Sequence, residues 1–245
     1  MAQLRLHLVP AGICDLHESV IMPEHYQERR LRVPIWCYLI QTGDANILID
    51  TGMPATALDG PLFPNDRIIP VMSKEDVITA RLAAMGLQPS DIDLLVNSHC
   101  HFDHAGGNYL FPEHTITLQR AEYALIESGR YKAPYLGDMK KVSLLDGDAT
   151  LAPGVEAIFT PGHAPGHMSF LVRLKKEGPI LLTVDASYTA DTFAPDKLGA
   201  MQDKAAGAAS VVRLKEIAAA EGARIFFGHD LKQGAEWRKA PEYYD

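Results

Sequence analysis

His99-Cys100-His101-Phe102-Asp103-His104 follows an apolar run at 92–97 and leads into Ala105-Gly106-Gly107. The run reads as a short buried strand, so the six residues emerge at a strand end. In an extended chain alternate side chains share a face. His99, His101 and Asp103 then point together, while Cys100 and Phe102 point away. His104 sits at the turn into the glycines, which allow close backbone approach. Neutral imidazoles and a carboxylate are preferred ligands of zinc and similar divalent cations. Four such groups in six residues exceed what one tetrahedral ion with an open position takes. The spacing therefore predicts two metals, one on His99 and His101 and the other on Asp103 and His104. The bland reading is a histidine-rich turn that only packs. The crowding of four ligand-type side chains after an apolar strand argues against it.

Two metals need further ligands, and other strand ends offer them. Phe159-Thr160-Pro161-Gly162-His163 puts a histidine after a strand and a Pro-Gly turn. Leu182-Thr183-Val184-Asp185 ends an apolar strand in a carboxylate, and Ile225-Phe226-Phe227-Gly228-His229 ends another in Gly-His. Each alone is weak, because a His or Asp after a strand is commonly a turn residue. Together with the first loop they form a coherent set. His7, His17, His25 and His114 match no ligand spacing and read as surface or satisfied core residues.

Around these ends the chain alternates short strands and helices. Apolar runs at 4–9, 36–41, 47–50, 92–97, 155–159, 169–174, 180–184 and 224–227 read as strands. Helices are expected at 73–85, with Ser73 as cap and Asp76 three residues on, and at 204–220. Strands outnumber helices and come in groups, so two packed sheets with helices outside would bury the apolar faces. The Pro- and Asn-Asp-rich segment 53–72 reads as a surface loop over the site. The 245 residues suit one large α/β domain, 1–245. A net charge of -8 with no Lys/Arg cluster argues against nucleic acid as a partner. No apolar run reaches the roughly 18 residues of a membrane span. Three cysteines without scaffold spacing, and an N-terminus unlike a signal peptide, point to the cytoplasm.

His99–His104 resembles the HxHxDH signature of the metallo-β-lactamase superfamily, and TPGH, the strand-end Asp and the final GH follow in that superfamily's order. The resemblance is closer to its N-acyl-homoserine lactone lactonases, the quorum-quenching branch. VPAG (9–12), WCYL (36–39), DTGMP (50–54), SHCHFDHAGGN (98–108), TPGHAPGH (160–167), DASYT (185–189) and FFGHD (226–230) carry it along nearly the whole chain. The implied fold is an αβ/βα sandwich of two mixed β-sheets flanked by helices. The implied first metal takes His99, His101 and His163, the second takes Asp103, His104 and His229, and Asp185 bridges them. His167 is left to a supporting role, as is the Asp50-Thr51-Gly52 turn. Zinc is the expected ion, although manganese, iron or cobalt suit the same ligands.

The resemblance implies a dinuclear-metal hydrolase acting on a small lactone, as a monomer or homodimer. By that resemblance the metal pair would supply the hydroxide that opens the lactone at its carbonyl. Tyr188 hydrogen-bonds to the carbonyl oxygen as charge builds there, and Asp103 passes a proton to the leaving ring oxygen. Phe102 is implied to touch substrate, while segments 53–72 and 128–140 shape the pocket. A glyoxalase II-like thioesterase is the nearest rival, with sixteen residues after His229 leaving little room for its helical region. A phosphotriesterase-like hydrolase fits the same metals. A purely structural metal protein is disfavoured, since seven ligands over two ions leave positions for water and substrate.

Overall fold

Gly12, at φ 97°, carries the first strand past its apolar core. β1 (Arg5–His17) therefore runs well beyond the expected 4–9, with an irregularity between Pro10 and Ile13 where the register shifts. The computed structural model describes residues 3–24, 27–131, 136, 139 and 141–245. His25 and much of the expected pocket wall at 128–140 lie outside the described residues. β2 (Arg30–Gln41) pairs antiparallel with β1, and its buried run from Val33 to Ile40 makes it a central strand. β3 (Asn46–Ile49) pairs with β2, and β4 (Ile68–Val71) pairs with the far side of β1. β5 (Leu94–Val96), β6 (Ile116–Gln119) and β7 (Val142–Leu145) continue the sheet in parallel from β3.

Among the described residues the first sheet has the order β4-β1-β2-β3-β5-β6-β7. The second sheet holds β8 (Ala149–Ala152), β9 (Val155–Phe159), β10 (Met168–Leu174), β11 (Gly178–Val184) and β12 (Arg224–Phe227), in the order β12-β11-β10-β9-β8. One core lies between the sheets, where Leu6, Leu8, Tyr38, Ile40 and Ile49 of the first meet Phe170, Val172, Ile180 and Leu182 of the second. The outer face of the first sheet is covered by α1 (Ile78–Ala84), α2 (Phe102–Ala105) and α3 (Arg120–Glu127). α4 (Lys204–Glu221) covers the second sheet through Val211, Leu214 and Ala218. The result is the αβ/βα sandwich the resemblance implied.

Two expected elements change. The helix at 73–85 splits, because the Asp76 carboxylate accepts the Ser73 amide and hydroxyl at 2.7 and 3.0 Å and closes a single 3-10 turn. Val77 then lies extended (φ -63°, ψ 132°), and α1 starts only after it. Segment 53–72 is a loop only in part, since its end is the edge strand β4. Its Phe63 does sit over the histidine loop, edge-on to Phe102. Cys14, Cys37 and Cys100 are free and buried. Among the described residues no helix is long and apolar enough to cross a membrane.

Candidate metal centre

The ends of β3, β5, β9, β11 and β12 deliver Asp50, the histidine loop, His163, Asp185 and His229 to one place. The alternation expected through the loop stops at His101. There the chain turns into α2, with the His104 and Ala105 amides donating to the His101 carbonyl at 3.1 and 2.9 Å. Cys100 does point away, into the apolar core. Phe102 does not: as the first residue of α2 it lines the same cavity as the histidines and meets Phe63 at 5.0 Å. The glycines after the loop are needed for close packing. A Cβ on Gly107 would lie 2.5 Å from the Thr51 carbonyl, and one on Gly106 would lie 2.5 Å from the Pro54 nitrogen.

Two donor sets result. His99, His101, His163 and Asp185 form one, and Asp103, His104 and His229 form the other. In the first set His163 Nε2 lies 3.2 Å from His99 Nε2 and 2.8 Å from His101 Nδ1. Asp185 faces both sets. Its Oδ2 lies 3.3 Å from His163 Nε2, while its Oδ1 lies 3.2 Å from Nε2 of both His104 and His229. The structure thus brings together every residue that the sequence nominated for two ions.

The hydrogen bonds behind the imidazoles decide what their inner nitrogens can do. His163 Nδ1 donates to the Ala200 carbonyl at 3.0 Å, and His229 Nδ1 to the Pro34 carbonyl at 2.8 Å. His104 Nδ1 donates to the Asp50 carboxylate at 2.8 Å. Ser98 Oγ gives its proton to Asp50, so it accepts from His99 Nδ1 at 3.1 Å. A carbonyl or carboxylate can only accept, so each of these rings carries its proton outward and turns an Nε2 lone pair inward. Lone pairs facing lone pairs at about 3 Å are not hydrogen bonds. His104 Nε2 and Asp185 Oδ1 are accordingly buried atoms without a hydrogen-bond partner. Such a pattern fits divalent cations, which bind deprotonated ligands whose outer nitrogens are held by acceptors.

The electrostatics differ between the two sets. Burial pushes His99, His101 and His163 below the ordinary histidine value, which leaves them neutral. Burial also pushes His104 and His229 down, but the carboxylates of Asp185 and Asp103 outweigh it and raise both, so a proton and a divalent cation compete for their inner Nε2 positions. Burial pushes Asp185 up, yet His229, His104 and His163 hold it well below its usual range.

His167 joins neither set. Its Nε2 accepts the Asp185 amide at 3.0 Å, and its Nδ1 donates toward Thr160. Burial, then His163, pushes it down to about 3, so it braces the Asp185 backbone as a neutral ring. Tyr188 is buried, with its hydroxyl 3.0 Å from the outer nitrogen of His163. Its ring fits only because residue 199 is glycine, where a Cβ would lie 2.3 Å from Tyr188 Cε2. A cavity of about 350 Å³ opens over both sets, lined by Leu16, Ile21, Phe63, Ile68, Phe102 and Tyr188 among others. His7, His17 and His114 stand outside the site with hydrogen-bond partners of their own. One functional candidate, Glu122, carries no sequence signal beyond being an acidic residue in a helix's first turn.

An αβ/βα sandwich with two histidine–carboxylate sets at its rim has the architecture of the metallo-beta-lactamase superfamily, whose family model matches residues 30–229. An N-acyl homoserine lactonase of Bacillus cereus is 39% identical over 252 residues, spanning 99% of this chain and 100% of that protein. The N-acyl homoserine lactonase AttM of Azorhizobium caulinodans is 33% identical, with both chains covered in full. A solved N-acyl homoserine lactone hydrolase, with the product N-hexanoyl-L-homoserine at its catalytic metal centre, superposes with a TM-score of 0.91 at 38% identity. That match covers 99% of this chain and 100% of the solved one. The chain belongs to the metallo-beta-lactamase superfamily and, within it, to the N-acyl homoserine lactonase branch.

Proposed function

We propose that this protein hydrolyses the lactone ring of N-acyl-homoserine lactones to the open N-acyl-homoserine, with two divalent cations as cofactors. The observation that carries the reading is Asp185, whose two carboxylate oxygens each face one histidine set at the floor of an apolar cavity. His99, His101 and His163 would hold one cation, Asp103, His104 and His229 would hold the other, and Asp185 would serve both. When bound, such a pair supplies Lewis acidity and hydroxide near neutral pH. The chain's own residues do the rest. Tyr188 stays protonated, because burial and the carboxylates of Asp185 and Asp103 push its phenol well above the ordinary value. Its hydroxyl donates to the lactone carbonyl oxygen as negative charge gathers there. Asp103, half-buried and lining the cavity, takes the proton that the attacking water gives up and passes it to the ring oxygen as the C–O bond breaks. Phe102 and Phe63 offer an apolar wall to the acyl chain.

We further propose zinc as the resident ion, on the strength of its preference for imidazole and carboxylate. A cytoplasmic location is supported by three free buried thiols. The test is an assay of purified protein with its metal content measured. N-acyl-homoserine lactones of several chain lengths are compared with a glutathione thioester and a phosphotriester. Lactone opening should dominate and should collapse on chelation or in D103A and H104A. Undiminished opening after metal removal, or a faster thioesterase, would sink the proposal.

A further inference from the structure

Glu122 stands in the first turn of α3, fully buried, and neither donor set includes it. Each of its carboxylate oxygens takes one backbone N–H. The Cys100 amide donates to Oε1 at 2.9 Å, and the Gly166 amide donates to Oε2 at 3.0 Å. Cys100 lies between His99 and His101, and Gly166 lies in the turn that runs from His163 to His167. The fit is close, since a Cβ on Gly166 would lie 2.3 Å from Glu122 Cβ and 2.5 Å from its nitrogen. The two segments that supply the imidazoles of the first set are thus fastened to one side chain. The second set is fastened elsewhere, His104 by Asp50 and His229 by the Pro34 carbonyl.

We propose that Glu122 is a positioning residue for the first metal, fixing the His99–His101 segment against the His163 turn so that the three imidazole nitrogens converge. The inference rests on the reading of the two donor sets as metal sites. Both donors it meets are backbone N–H groups, so an acceptor-only carboxylate is the side chain that satisfies them. Glutamine keeps the size but turns an amide NH2 toward one of these N–H groups. Aspartate keeps both acceptors and is one methylene short.

The test measures metal affinity in E122Q, E122D and L214A, the last a core variant under α4 that lowers stability away from the site. Wild type should bind two ions. E122Q should bind one of them roughly 10–100-fold more weakly, as loss of a group behind the ligands does, and hold the other as wild type does. In cobalt-loaded E122Q the shifted imidazole N–H resonances of His99, His101 and His163 should fade while those of His104 and His229 persist. E122D should fall between the two, and L214A should melt earlier with both ions retained. Activity lost in E122Q at limiting metal should return with excess metal. If E122Q does not fold, E122D carries the same comparison. Wild-type affinity for both ions in E122Q, or equal weakening of both, overturns the proposal. A wild-type protein that binds fewer than two ions overturns the metal reading beneath it.

Discussion

Burial, and then the carboxylates of Asp185 and Asp103, keep a proton on Tyr188 at neutral pH, which equips the phenol to donate a hydrogen bond and not to act as a base. Removing that hydroxyl should cost what removal of an oxyanion donor costs. Y188F should lose about 10²-fold in kcat, with KM within a few-fold, in a lactone assay at fixed metal content. An unchanged kcat would return Tyr188 to a packing role. Asp50 makes a different contribution. It is fully buried at φ 64°, accepts the Ser98 amide and hydroxyl at 2.7 Å, and accepts His104 Nδ1. One carboxylate thereby sets the tautomer of His104 directly and that of His99 through Ser98. D50N presents an NH2 where an acceptor is required. It should weaken metal binding by about 10–100-fold, measured by chelator competition, and retention of both ions at full affinity would refute the role.

The elements that carry the site are strands stopped abruptly at one edge. Val184, the last residue of β11, sits at φ 48°, a left-handed conformation that costs a β-branched residue about 1–3 kcal/mol. That turn of the backbone aims Asp185 between the two sets. Gly228 at the end of β12 closes against it, because a Cβ there would lie 2.5 Å from the Val184 carbonyl oxygen. G228A must therefore displace the β12 end and His229 with it. The expected result is loss of one of the two ions, by metal analysis, with the other retained. Full occupancy of both would show that the strand ends are more tolerant than their packing implies.

Much of this was legible. β9 and β12 fall on the expected residues, and α4 differs from its expected span by one residue, because their apolar spacing is strong. β4, β6, β7 and β8 were not legible. Pro70 interrupts β4, and Thr, Ser or Gln breaks up the four residues of β6, β7 and β8, so none shows the continuous apolar run that marks β3 and β12. The ligand residues could be nominated because chemistry-bearing side chains at strand ends are conspicuous. Helix α2 was hidden, since four residues beginning Phe-Asp-His read equally well as extended chain. Glu122 was hidden too, since its function lies in backbone amides that no side-chain pattern reveals.

At the scale of the molecule the site joins the two sheets. Asp103, His104 and the His99–His101 segment follow β5 of the first sheet, while His163, Asp185 and His229 follow strands of the second. Cations held by these residues would bridge the sandwich at its rim and should add to global stability. Each ion at 100 times its Kd contributes about 2.7 kcal/mol. Two ions should raise the Tm by on the order of 10 °C for a chain of this size. Chelation should lower the Tm by about that amount and added metal should restore it. A Tm indifferent to chelator would mean that the sheets are held without the ions.

Acid unfolding tests a second global tie, at the turn between β1 and β2. The Glu18 side chain is only 7% exposed, and its carboxylate accepts from Arg29 Nε at 2.9 Å, Arg29 Nη2 at 2.6 Å and the Gln27 amide at 2.7 Å. The Arg29 hydrogen bonds, against a smaller opposing effect of burial, hold its carboxyl below the ordinary 4.5. The unfolded chain then takes up a proton near pH 4.5 that the folded chain refuses. Stability from this pair is complete above that pH and is lost as pH falls toward the folded value. Glu221, paired with Arg173, is also held low, but its side chain is 31% exposed and water screens the pair. Denaturant unfolding at pH 5, 4 and 3 should therefore show a shallower acid limb in E18Q than in wild type. E221Q should follow the wild-type curve more closely. A slope in E18Q equal to wild type would mean that Arg29 grips the unfolded chain as firmly as the folded one.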